Sequence, residues 1–551
     1  MLGPASCMAW LPWLLAPLVF GLLALALGQD ANWDLRNYHY YNAYAFLHGR
    51  LDYDVAPAQV ATYYNPLLHV PFYYLVKALP PRGVAFVLGA VQGLNLPLLY
   101  HLARRLVTAA TPRRAGALAL GIALLGVLSG GNISELGTTF GDNVLSLLIL
   151  GALWLVVAGQ RTLGGRWPAA AAIAMAAGML AGMAAGLKQP MAVYALGLCL
   201  GFLGLPLPGG RRVALLVAFG VGGLSGLACT NGLWLYEMWG RFGNPLFPYF
   251  NQVFRSPMAS TAAYRDLRFL PQGLSEWLFF PLVFVGDPRQ TAEVGFRDLR
   301  LPLLYCLVLI LLLRRLPWGV LWPAMPCRHG QDEADTAPAW AGRYLLLAGA
   351  VTYLAWLKLF AIYRYLLVME MLAPLAIWLL ITHLVLERRR AAVFAGACAI
   401  LIVITLVPPN WGRVAFGDDY FGVTLPVLVD PDHALVLMTG FEPTAYLIPA
   451  FPPRVRFLRI DGYFTSPSNP PNGSDLRMQG LVAGHQGPVY VLYRRYEKAT
   501  ALRVLTAYGL ALQAGDCQAM SPHIDEPLKD PLYFCRVNKT LPQSVITEGK
   551  P

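Results

Sequence analysis

The chain has 551 residues, of which 57% are hydrophobic and only 13% charged, and its mean hydropathy is +0.50. Its apolar residues run in long blocks rather than in the alternating or amphipathic patterns of a soluble core, which excludes an ordinary soluble globular protein. The formal net charge of +12 is accounted for by membrane topology and contact with anionic lipid, and gives no ground for a nucleic-acid partner.

A helix that crosses a bilayer needs about 20 mostly apolar residues, and the sequence offers about eleven such blocks. The first is "WLPWLLAPLVFGLLALALG". No basic residue precedes it and no small-x-small cleavage site follows before Asp30, so a retained first helix is expected rather than a signal peptide. Arginines cluster in short loops between later blocks: Arg104, Arg105, Arg113 and Arg114, then Arg161 and Arg166, Arg211 and Arg212, Arg314 and Arg315, and Arg388 to Arg390. With these loops on the cytoplasmic side, the helices between them alternate without contradiction. The expected fold is therefore mainly α, a polytopic transmembrane helical bundle over residues 1–408. Large outer loops fall at about 29–83 and 239–300, and an extracytoplasmic soluble α/β domain occupies 409–551.

The first outer stretch, "QDANWDLRNYHYYNAYAFLHGRLDYD", is dense in Asp, Tyr, His and Asn. If it is helical, Asp30 and Asp34 share a face, with Tyr38 and Tyr41 continuing roughly along it. A carboxylate among aromatics at the lip of a bundle has its pKa pushed upward and becomes a candidate general base. The plainer reading is a pair of solvated acids at a helix end. His39, His48 and His69 read as hydrogen-bonding groups, and no metal is assigned to them. Asn65, in the following "YYNPLLHVPFYYLVKAL", joins Tyr38 and Tyr41 as a candidate substrate-lining residue.

Further along, "ELGTTFGDNVLSLLILGALWLV" starts a helix at Asp142 on the same outer level, where Asp either caps free amides or serves chemistry. Lys188 in "AAGLKQPMAVY" falls at an outer turn; it either snorkels to the interface or binds an anion. The turn-rich "WGRFGNPLFPYFNQVFRSP" carries Asn244, Asn251 and Arg255, which either shape an acceptor cleft or only pack. In "KLFAIYRYLLVMEMLAP", Arg364 stands between tyrosines with Tyr365 beside it. Glu370 lies deeper in that apolar helix and is expected to face the bundle interior, because an unpaired charge there is costly. "CRHGQDEADTAPAW" reads as a flexible connector.

After about residue 410, runs such as "HALVLMTGF", "GPVYVLYRRY" and "LYFCRV" read as strands, and "EKATALRVLTAYG" reads as a helix. Cys517 and Cys535 share this outward tail and are expected to form a disulfide. Cys199, Cys229, Cys306 and Cys398 sit in apolar blocks and read as core fillers. Phosphate-cradling and dinucleotide glycine motifs, H-E-x-x-H and zinc-spaced Cys/His sets are all missing, so no cofactor is expected.

The order of these pieces resembles the GT-C superfamily of polytopic glycosyltransferases, which includes protein O-mannosyltransferases and lipid A aminoarabinose transferases. It runs from an acid-bearing first outer loop through "GLNLPLLYHLARRL", the helix opening at Asp142 and "AGMLAGMAAGLKQP" to "YRYLLVMEMLAP", over roughly the first 390 residues. The resemblance implies a sugar donor linked to polyprenyl phosphate and an envelope acceptor, at the outer face of a bacterial inner membrane. It maps the catalytic acid to Asp34 or Asp30 and a second acid to Asp142. Its Lys after a Gly-rich helix matches Lys188, and its Arg-Tyr matches Arg364 and Tyr365. Family members often carry adjacent acids in the first loop, whereas here Asp30 and Asp34 are separated. Two other readings stand beside this one: a transporter or lipid flippase lined by Lys188, Arg364 and Glu370, and a non-catalytic envelope assembly protein.

Overall fold

A computed structural model describes residues 4–315, 337–385 and 387–540. The connector expected from Cys327 onward lies outside the described residues as far as residue 336. The chain divides into two compact units, one of Met1–Leu27, Ala85–Leu233 and Asp266–Trp411, the other of Gly28–Val84, Trp234–Arg265 and Gly412–Pro551.

The first unit is helical. Among the described residues, four helices are long and apolar enough to cross a membrane: Pro81–Leu106, Trp167–Leu187, Gly209–Phe242 and Tyr363–Leu384. Shorter apolar helices cover Leu11–Leu27, Asp142–Ala158, Gln189–Gly204 and Leu274–Gly286. Some candidate blocks are cut short by their own residues: in Leu274–Gly286, Pro281 lacks an N–H and the backbone leaves helical geometry at Phe279. Leu14, Leu22, Val217, Leu224, Val393 and Ile404 stay exposed. An apolar surface of this kind suits membrane association. Of the four apolar-block cysteines, Cys398 is buried, Cys199 and Cys306 are half-buried, and Cys229 is exposed rather than a core filler.

Small residues bring two of the long helices together. A Cβ on Gly178 would run into the Phe219 carbonyl, one on Gly182 into the Gly223 carbonyl, and one on Gly226 into the Met179 carbonyl. Glycines three or four residues apart give each helix a flat face, so backbones touch where side chains would hold them apart. The helix Trp167–Leu187 ends one residue before Lys188, so this contact sets where that lysine emerges.

The second unit contains a five-stranded sheet. Its strands are β1 (Leu435–Met438), β2 (Arg456–Arg459), β3 (Val489–Arg494), β4 (Leu510–Met520) and β5 (Leu532–Lys539), in the order β2-β1-β3-β5-β4. β1 runs parallel to β2 and β3; β5 runs antiparallel to β3 and β4. Every residue of β1 and β3 is buried, which explains the continuous apolar runs that mark them in the sequence. The helix Lys498–Ala507 stands where "EKATALRVLTAYG" predicts one, whereas Gly473–Gly484, β2 and β4 were not among the sequence expectations. Cys517 and Cys535, paired across β4 and β5, form a disulfide.

The sheet shares its core with the two loop segments of the same unit. Val55, Val60, Tyr63, Met238, Phe242 and Phe247 pack in one cluster with Leu435, Leu437, Leu458, Val489, Val491 and Cys535. Val55 pairs with Leu458 at the free edge of β2, which covers that edge. Arg50 forks onto Asp54 at 2.7 and 2.8 Å and donates to the carbonyls of Pro453 and Val455, tying the first loop to the tail.

Candidate functional site

In the first unit, charged side chains gather where two helices begin and one ends. Asp142 is the first residue of its helix and fully buried. Gly141 precedes it with φ of 79°, a left-handed turn that glycine makes without strain. Lys188 Nζ donates to Asp142 Oδ2 at 2.7 Å and to the Phe140 carbonyl at 2.9 Å. An ammonium carries three N–H donors; the described residues engage two of them. Arg364 lies over the ring of Phe140 at 4.3 Å and of Trp411 at 5.3 Å, and Lys188 lies over Tyr365 at 5.6 Å. The aromatic faces hold both cations without neutralising them.

Glu135 is the residue that sequence reasoning missed here. It ends the short helix Gly130–Glu135, is fully buried, and neither carboxylate oxygen has a hydrogen-bond partner among the described residues. Burial pushes its carboxyl well above the usual range; Asp142 adds to that, and Lys188 and Arg364 oppose it. It thus belongs to one electrostatic group with Asp142, Lys188 and Arg364. The signal was in the sequence: Glu135 opens the "ELGTTFGD" stretch seven residues before Asp142. Gly137 at φ 74° and Gly141 reverse the chain between the two acids.

Glu370 has a different setting. It is buried and accepts from the Gly131 N–H at 3.1 Å and the Tyr363 hydroxyl at 2.8 Å. Asp298 accepts from the Gly130 N–H at 3.0 Å and pairs with Arg300, which also donates to the carbonyls of Leu125 and Leu128. This network satisfies the free backbone groups between helices Pro112–Val127 and Gly130–Glu135. It fixes the helix that carries Glu135.

In the second unit, Asp30 is not on a helix face with Asp34. Asp30 lies in a two-residue antiparallel pair with Arg413 and Val414, and its carboxylate accepts from the Asn32 side chain at 2.7 and 2.9 Å. The chain turns helical only beyond it, with a π-helical turn at Leu35–His39 leading into Tyr40–Leu47. Such single widened turns are frequent at functional sites. Asp34 sits at the start of this turn, half-buried. Its charge acts on Tyr463, whose hydroxyl burial pushes up first. Tyr38 packs edge-on against His39, Tyr64 and His69, and the two imidazoles stack with centroids 4.1 Å apart. The Tyr64 and Tyr249 hydroxyls share a 2.5 Å hydrogen bond.

Three candidate lining residues have local structural partners. The Tyr41 hydroxyl donates to Asp54 at 3.0 Å, and Asn65 Oδ1 accepts from the Leu67 N–H. Asn244 is buried, donates to the Tyr249 carbonyl and accepts from the Leu246 N–H, closing the turn it sits in.

Fold and site together define a mainly helical chain, suited to membrane association, whose helical unit carries a cluster of two buried acids and two half-buried cations and whose other, sheet-containing unit is rich in Tyr and His. Comparison with protein-family models, with curated proteins and with solved structures finds no match to this chain.

Proposed function

We propose that the chain is a membrane glycosyltransferase of the GT-C type, a polytopic bundle of about eleven spanning helices. It moves a sugar from a polyprenyl-phosphate donor to an envelope acceptor at the outer face of a bacterial inner membrane. The observation that carries this reading is the convergence of Lys188 and Arg364, both backed by aromatic rings, with the buried Asp142 and Glu135. In the transfer, an acceptor oxygen or nitrogen forms a bond to the anomeric carbon while the bond from that carbon to the phosphate oxygen breaks. The electron pair leaves with the phosphate. Lys188 and Arg364 stabilise the charge that develops there, Lys as a compact ammonium and Arg as a planar fork. A carboxylate takes the acceptor's proton; the resemblance assigns that role to Asp34, with Asp30 and Asp142 as the other candidates.

The test is release of free polyprenyl phosphate from a panel of polyprenyl-phosphate sugars by the purified protein, with membrane extract as acceptor source. Lys188→Met is expected to lower release by about 10²–10³-fold, the usual effect of losing one preorganised donor to a developing anion. Asp34→Asn is expected to abolish it. Release at the wild-type rate in the folded Lys188→Met protein overturns the role given to the cluster. Absence of both release and donor binding turns the reading to a transporter or flippase, for which the buried ionisable groups Glu370, Asp298 and Arg300 speak.

A further inference from the structure

The sheet-containing unit holds a second feature, independent of the transfer reaction. A cavity of about 440 Å³ opens at the amino ends of the three parallel strands, where Ala434, Arg456 and Gly487 precede or start β1, β2 and β3. Its volume is within the range of small-molecule sites. Nucleotides bind parallel sheets at the opposite, carboxyl ends of the strands, so the position points to another kind of ligand.

Among the described residues of the cavity wall, Arg456 is the charged group without a hydrogen-bond or ion-pair partner. Its guanidinium stacks on the ring of Tyr53 at 4.4 Å, and the described residues give it neither a hydrogen bond nor an ion pair; its Nε is buried without a partner. The other guanidinium against that ring, Arg50 at 4.9 Å, is committed to Asp54. Tyr53 is itself pinned, its hydroxyl donating to the Arg454 carbonyl at 2.5 Å. Arg456 is therefore held in place with its Nε buried and unmatched among the described residues, so an incoming anion gains a charge-assisted hydrogen bond to a positioned fork. The remaining charges of the wall are paired: His433 Nδ1 lies 2.9 Å from Asp430, and Arg454 lies 3.6 Å from Asp432. Burial lowers the His485 pKa, which leaves a neutral ring whose Nε2 is buried without a partner.

A single unmatched cation therefore lies beside two carboxylates that retain acceptor capacity. A bare anion uses only the first of these features. We propose that the cavity binds a sugar unit bearing one anionic group, a carboxylate or a phosphate. Arg456 takes the anion, and Asp430 and Asp432 accept hydroxyl protons of the ring. The exposed Gln486 stands at the cavity wall and offers a further amide.

The experiment is calorimetric titration of the purified full-length protein with glucuronic acid, glucose 6-phosphate and glucose, at low and high salt. At least one of the two acids is expected to bind, more weakly in salt, with glucose at least about tenfold weaker, as for loss of one hydrogen bond to a charged group. Whichever acid binds more tightly decides between carboxylate and phosphate. Arg456→Gln should cost the acid about tenfold or more in affinity. Gln486→Trp, at an exposed position of the wall, should block binding by bulk and decides the matter if Arg456→Gln does not fold. The proposal is overturned if neither acid binds, if glucose binds as well as the acids, or if folded variants of both kinds keep wild-type affinity. Transfer activity is not read in this experiment, so its result stands apart from that of the reaction test.

Discussion

Among single residues, Glu135 ties the structure to the proposed function most directly, because a buried acid with neither oxygen partnered among the described residues is costly to keep charged. Its folded-state pKa is raised above the ordinary 4.5. The folded state therefore binds the proton more tightly than the unfolded chain, and stability is greatest below about 4.5 and declines as pH rises toward the folded value. Glu135→Gln cannot titrate. Its melting temperature should match wild type near pH 4.5 and exceed it progressively toward pH 8, by roughly 1 °C for each kcal/mol in a chain of this length, while release of polyprenyl phosphate falls. Thermal unfolding across that range checks the sign; a variant less stable at pH 8 contradicts it. Asp525 is the contrasting case. It accepts from Arg36 at 3.1 Å, from Arg494 and from the Tyr446 hydroxyl at 2.5 Å, all buried. Asp525→Ala strands two buried guanidinium groups and should cost about 3–5 kcal/mol or more, read as a fall in melting temperature.

Among elements, the glycine contact between Trp167–Leu187 and Gly209–Phe242 is the most demanding packing. Gly182→Leu places a side chain where the Gly223 carbonyl lies. Overpacking of this kind costs about 1–3 kcal/mol, occasionally more. The displaced helix should also carry Lys188 away from Asp142, so donor turnover is expected to drop more than stability does. A Gly182→Leu protein with wild-type melting and wild-type release removes this contact from the argument. The same scale explains the helix boundaries. Hydropathy marks an apolar block, but Pro281 and its neighbours decide how much of it forms an unbroken helix.

At the scale of the whole molecule, the tail is not a unit by itself. Its core takes Val55, Val60 and Tyr63 from one loop segment and Met238, Phe242 and Phe247 from another. Each such side chain contributes roughly 1.5–3 kcal/mol on burial, and a domain's whole stability is only about 5–15 kcal/mol. Residues 412–551 expressed alone should therefore fail to fold even with the Cys517–Cys535 disulfide formed. Poorly dispersed amide resonances and no cooperative melting are the expected result; a dispersed spectrum with sharp melting would show that the loop segments are dispensable.

Composition and periodicity determine that this chain is mainly helical and suited to a membrane, because long apolar blocks have no other stable setting. They also mark β1, β3, β5 and the helix Lys498–Ala507, whose signals are local runs. The Cys517–Cys535 bridge joins two cysteines of one tail that the sequence marks as a pair. Tertiary structure alone decided what long-range contacts control. Asp30 lies in an extended pair because Arg413, far along the chain, supplies its partner strand. Tyr41 is used by Asp54, and Asn244 by its own turn, because buried polar groups must be satisfied by whatever the fold brings near. Glu135 lies seven residues before Asp142 but no one helix joins them: one helix ends at Glu135, another begins at Asp142, and two left-handed glycines in between bring the acids together. Arg456 became distinctive only once the fold had given the other charges of the cavity wall partners and, among the described residues, left its Nε without one.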